Sequence, residues 1–121
     1  MLERRRAVRI PAKLALQIKI SGKDCAEAES INVSANGVYF TSPTYIPVLT
    51  KLEIELTLPA PGEEEGVRPG RNVTCEGVVV RTEPEEEAPK TTRYEIACYF
   101  TSIAEEDKDY LDTYILKQVV L

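Results

Sequence analysis

The residues Arg4-Arg5-Arg6-Ala7-Val8-Arg9 place four guanidinium groups near one end of the chain. Each is a planar, permanently charged fork of donors. It can meet a phosphate or the O6/N7 edge of guanine through two parallel hydrogen bonds, or lie flat on a base. Further along, Asn32-Val33-Ser34-Ala35-Asn36-Gly37 joins short polar side chains to a glycine. Asn32 offers a carbonyl acceptor and an amide donor, and Ser34 a hydroxyl, so the pair can read a guanine edge or hold a phosphate. Gly37, lacking a Cβ, is expected to take a positive φ and to let a strand or ligand approach the backbone closely. Taken singly, each patch has a plainer reading: the arginines as a solubilising tail, and the turn as a bend whose Asn and Ser side chains cap its own backbone. Together they read as two jaws of a site for an anionic, guanine-bearing ligand.

Other chemistries have little to stand on. The chain has no histidine, and so lacks the commonest general base and metal ligand at neutral pH. Cys25, Cys75 and Cys98 are widely spaced in strand-like stretches and read as buried reduced thiols rather than as a bridge or chelate. The acidic runs around Glu63–Glu65 and Glu83–Glu87 read as solvated loops, with no metal site expected. An enzyme acting on a phosphoester would have only these carboxylates to work with, so no catalytic residue is assigned and no enzymatic activity is expected. The net charge of −5 hides an asymmetry: residues 1–23 hold seven basic groups against the single acid Glu3, leaving the remainder at −11. An acidic body repels long nucleic acid, whereas a local cluster of cations suits a small anion. No apolar run is long enough to span a bilayer, and the first residues lack a signal core. A cytoplasmic protein without membrane insertion is expected.

At 121 residues the chain fits one domain. Leu14, Leu16, Ile18 and Ile20 alternate with polar residues, Ser21–Asp24 supplies turn chemistry, and a second strand runs through Val33. Val38–Thr41 and Leu52–Leu58 read as strands three and four, followed by a breaker-rich loop over 59–70. Val73–Arg81 and Tyr94–Phe100 complete six strands. Ser102-Ile103-Ala104-Glu105 has capping-box spacing, and Tyr110, Leu111, Tyr114 and Ile115 recur at helical spacing, predicting a helix that covers an open end of the sheet. Six strands in so small a domain favour closure into a barrel, which removes exposed edges.

Arg5-x-x-x-Arg9 and Asn32-x-Ser34-x-x-Gly37, in this order and spacing, resemble the paired signatures of PilZ domains, bacterial receptors for cyclic di-GMP. The resemblance runs from Glu3 to about Lys117. It implies a mainly-β fold, a six-stranded antiparallel barrel with a C-terminal helix, in which residues 1–11 form a flexible basic arm and residues 12–121 the barrel and helix. It assigns Arg5 and Arg9 the principal base and phosphate contacts, with Arg4 stacking on a further guanine, and Asn32, Ser34 and Gly37 the opposite jaw. No cofactor is implied beyond the ligand cyclic di-GMP. The partner is an unidentified effector protein, with outputs in motility, attachment and biofilm or exopolysaccharide control, from a monomer or weak homodimer. A PilZ-like interaction module that binds no nucleotide is the alternative. Ala97 stands where many members have glycine, a departure expected to alter packing without touching the ligand motifs.

Overall fold

A computed structural model describes residues 8–20, 23–59 and 70–120, excluding the side chains of residues 23–26. Arg4, Arg5 and Arg6, the Ser21-Gly22 turn, most of the 59–70 loop and the Cys25 side chain lie outside the described residues.

Seven strands and one helix follow in chain order: β1 (Ile10–Pro11), β2 (Ala15–Ile20), β3 (Lys23–Ser34), β4 (Gly37–Ser42), β5 (Lys51–Leu58), β6 (Arg71–Glu83), β7 (Tyr94–Ile103) and α1 (Glu105–Val120). All pairings are antiparallel. The order β3-β2-β5-β6-β7-β4 closes when β4 pairs again with β3, giving the expected six-stranded barrel, and β1 adds a short seventh strand beside β3. The alternation that marks β5 in sequence is literal in space: Leu52, Ile54, Leu56 and Leu58 are buried, while Lys51, Glu53 and Thr57 face solvent. Leu16 and Ile18 of β2, Val38 and Phe40 of β4, and Ile96 and Cys98 of β7 fill the same interior. Leu111, Tyr114 and Ile115 of α1 join this core, so the helical stripe does pack against the barrel.

The start of α1 differs from the sequence expectation. Ser102 is not a cap; it lies in β7, paired with Glu76. The helix begins at Glu105, and its turn closes through Lys108 N–H on Ala104 O at 2.8 Å. Continued pairing with β6 satisfies more of the Ser102 backbone than a cap would. Three acids, Glu105, Glu106 and Asp107, sit instead at the positive end of the helix dipole. Asp107 also accepts from Arg71 Nη2 at 2.7 Å and from Thr74 N–H at 3.2 Å, which ties the helix to β6. Arg71 lies over the Tyr110 ring as well, 5.4 Å from its centroid.

Candidate functional site

The first jaw is held by a serine that sequence reading passed over. Between β1 and β2 the strand ladder breaks at Ala12-Lys13-Leu14, and Ser30 of β3 spans the gap. Its buried hydroxyl accepts from Leu14 N–H at 2.8 Å and donates to the Ala12 carbonyl. Backbone bonds from Ala12 N–H to Ile31 O at 3.1 Å and from Ser30 N–H to Leu14 O at 2.9 Å complete the splice. Ile10, 6% exposed, is thereby packed into the core opposite Val33, and Pro11 stands opposite Asn32. Ile10–Pro11, counted in the basic arm from sequence, is thus a strand of the sheet. A polar residue at an inward position of β3 is the one sequence signal for it.

This docking brings Arg9 to the second jaw. Arg9 Nη1 donates to Asn32 Oδ1 at 2.6 Å, so one residue from each motif meets across the β1–β3 pair. The bond is made on the exposed surface. The rest of the turn is more inward than its motif suggests. Ser34 is 1% exposed, and its Oγ accepts from Asn36 N–H at 3.1 Å, so the hydroxyl secures the turn's own backbone. The plainer reading of the turn thus holds for Ser34, which caps the bend, while Asn32 turns its side chain to Arg9.

Gly37 corrects one expectation. Its φ is not in the left-handed region, and it opens β4 as ordinary strand opposite Ser34 and Tyr99. What excludes a side chain is proximity: a Cβ here would collide with the backbone carbonyl oxygen of Cys98. The Asn36 carbonyl accepts from Phe100 N–H at 2.8 Å, drawing the turn onto β7. The glycine serves close approach between strands rather than a strained bend.

Beside Asn32 the register lines up a row across four strands: Asn32 on β3, Tyr39 on β4, Ala97 on β7 and Arg81 on β6. Arg81 reaches over the Tyr39 ring, 5.7 Å from its centroid. Tyr39 Oη donates to Glu95 Oε1 at 2.9 Å; that bond, then desolvation and the Glu95 charge, raise the phenol above its ordinary value and keep it a donor. Ala97 between them carries only a methyl group, which leaves the guanidinium room to cross to the ring. The departure from glycine therefore falls on this outer row and not in the interior. The row offers an aromatic face and a guanidinium beside Asn32, chemistry suited to a nucleobase. Among the described residues, no cluster of Cys, Asp or Glu is arranged to hold a metal ion.

Comparison with known proteins adds to this geometry. The family model described as PilZ domain matches residues 3–117. A search of curated proteins returned no match. Among solved structures, the chain is similar to the Bacillus subtilis inhibitor of motility MotI/DgrA, with TM-score 0.74 and 26% identity over 98% of this chain and 52% of that one. It thus spans about half the length of that protein. It is also similar to the PilZ domain of YcgR from Escherichia coli, solved with cyclic di-GMP, with TM-score 0.66 and 16% identity over 95% of this chain and 91% of that one. A third likeness is to K. pneumonia MrkH in complex with cyclic di-GMP, with TM-score 0.65 and 13% identity over 98% and 54% of the two chains. The latter two likenesses show the shared fold.

Proposed function

The chain belongs to the PilZ domain family, and on that premise we propose that it is a cyclic di-GMP receptor, with ligand held between the N-terminal arginines and the Asn32–Gly37 turn. The observation that carries this reading is the Arg9–Asn32 hydrogen bond, which joins the two motifs at one place on the barrel. Arg5 and Arg9 supply forks for phosphate and guanine, Arg4 stacks on a further base, and Asn32 reads a guanine edge. Ser34 and Gly37 contribute by holding the turn against β7, so that Asn32 and the backbone of the bend face the ligand.

The residues before Ile10 act as the arm, anchored by the Ile10–Pro11 strand and folding over bound nucleotide. Ordering each residue costs about 1–2 kcal/mol of backbone entropy, so ligand contacts must exceed that cost before any affinity is seen. The ordered arm is the signal, read by an effector protein in the cytoplasm. An output in motility, attachment or exopolysaccharide control accords with the likeness to the Bacillus subtilis inhibitor of motility. The working unit is a monomer or weak homodimer. PilZ domains are ligand-binding receptor domains, and the chain acts by binding rather than by catalysis.

A calorimetric titration with cyclic di-GMP, run beside cyclic di-AMP, tests the reading. Saturable binding of the guanine ligand, much tighter than that of the adenine ligand, is expected, because adenine replaces the O6 acceptor with an amino donor that an arginine fork cannot use. No binding of either would move the chain to the nucleotide-independent interaction module. Equal binding would leave a purely electrostatic trap.

A further inference from the structure

Where β1 gives way to β2, the chain and its partner strand fall out of step. From Pro11 to Ala15 the chain takes four steps, while β3, running beside it from Asn32 back to Glu29, takes three. β3 bulges at the same place against β4: Ser30 pairs with Phe40 and Asn32 with Tyr39, which leaves Ile31 unopposed. An ordinary ladder cannot carry four steps beside three, so backbone groups in the gap need partners from elsewhere. Ser30 supplies them from a single side chain. Its hydroxyl has one proton to give and lone pairs to accept with, and it uses both, on Ala12 O and on Leu14 N–H, at a position only 3% exposed.

What this fastens is the site rather than the barrel. The ring β3-β2-β5-β6-β7-β4 closes without β1. Between the buried Ile10 and Leu14 only the small Ala12 packs on the core, with Pro11 and Lys13 exposed, so apolar burial does little to hold the gap itself. Arg9 immediately precedes Ile10, and where β1 docks therefore decides where its guanidinium falls. With Ile10 opposite Val33 and Pro11 opposite Asn32, Arg9 Nη1 lies 2.6 Å from Asn32 Oδ1. An arginine on an undocked strand would have to be ordered by the ligand, and the cost would come out of affinity; held on Asn32, it meets the ligand already placed.

We propose that Ser30 is a positioning residue for the nucleotide site: through the Ala12–Leu14 splice it holds Arg9 on Asn32 in the ligand-free protein, so that one arginine of the motif is preset. This rests on the receptor reading, and cyclic di-GMP is the probe. Calorimetric titrations of wild type, Ser30→Ala, Arg9→Ala and the double variant, at a temperature where melts show each to be folded, form a double-mutant cycle. Ser30→Ala should weaken binding about tenfold when Arg9 is present and less than about twofold in the Arg9→Ala background, since a residue that acts through the guanidinium then has nothing left to place. Without ligand, trypsin should cut after Lys13 faster in Ser30→Ala than in wild type, because the segment opens more often. Should Ser30→Ala fail to fold, Ile10→Ala, which frees the same strand from its other end, takes its place in the cycle with the same expectations. A wild type that binds no cyclic di-GMP would overturn the receptor reading and this proposal with it. A wild type that binds would overturn the proposal alone if Ser30→Ala bound as tightly, if the loss were equal in both backgrounds, as a merely structural serine would give, or if cutting after Lys13 were unchanged.

Discussion

Arg9 sits at the surface with its guanidinium on Asn32, so its loss should cost the fold little and the ligand a great deal. Arg9→Ala is expected to weaken cyclic di-GMP binding by about 1.5–3 kcal/mol, the scale for hydrogen bonds to a charged group, while the melting temperature of the free protein stays nearly unchanged. Arg9→Lys should restore little, because a point-like ammonium cannot reproduce the planar fork. Titration beside thermal melts checks both, and a variant that binds normally but melts early would make Arg9 a structural residue. The turn behaves differently. Ser34→Ala removes a buried acceptor from Asn36 N–H, so it should lower the melting temperature as well as the affinity, by about 1–3 kcal/mol of stability. Gly37→Ala should destabilise by a similar amount, through overpacking against the Cys98 carbonyl rather than through φ strain. Ligand-free melts of Ser34→Ala and Gly37→Ala that match wild type would show that neither residue holds the turn.

The elements were legible where one physical rule governs them. β5 declares itself because Leu52, Ile54, Leu56 and Leu58 alternate without interruption on a strand with one face inside and one outside. β1 did not, because two residues have no periodicity, and what makes Ile10–Pro11 a strand is Ser30 bridging from another element. The cap at Ser102 failed for a related reason: the local spacing is right, but β6 extends far enough to keep Ser102 paired. The site followed the same division. Arg9 and Asn32 could be paired from their motifs, whereas Tyr39, Arg81 and Glu95 are brought together only by the register of three strands. What fastens α1 is likewise a tertiary contact, Asp107 bonding both Arg71 and Thr74. Asp107→Ala should therefore lower the melting temperature only modestly, the bonds being solvent-exposed, while leaving most helical circular dichroism in place, because Leu111, Tyr114 and Ile115 still bind the helix to the core. If the helical signal vanished at temperatures where the barrel stayed folded, the Asp107 contact rather than the apolar stripe would be what docks α1.

For the molecule as a whole, closure of the barrel fixes how stability responds to alkali. Cys75 and Cys98 are both sealed in the interior, and burial pushes each thiol from an ordinary 9.0 up to about 12; for Cys75, the neighbouring Cys98 and then the charge of Asp107 add to the effect. Because the folded value lies above the unfolded one, the folded state retains protons that the unfolded state has released. The thiols' contribution is fully present below about pH 9 and is lost as pH rises toward 12. Each thiol lowers stability by up to about 1.4 kcal/mol per pH unit across that window. Lysines and tyrosines titrate there too, so the informative quantity is the difference between wild type and the Cys75→Ala/Cys98→Ala variant. Denaturant melts from about pH 8 to about pH 11 should show wild type ahead at the lower end, through better packing, and losing that lead as pH climbs. A lead that stays constant across the range would mean that the unfolded and folded thiols ionise alike, and that the barrel admits water to the two cysteines it encloses.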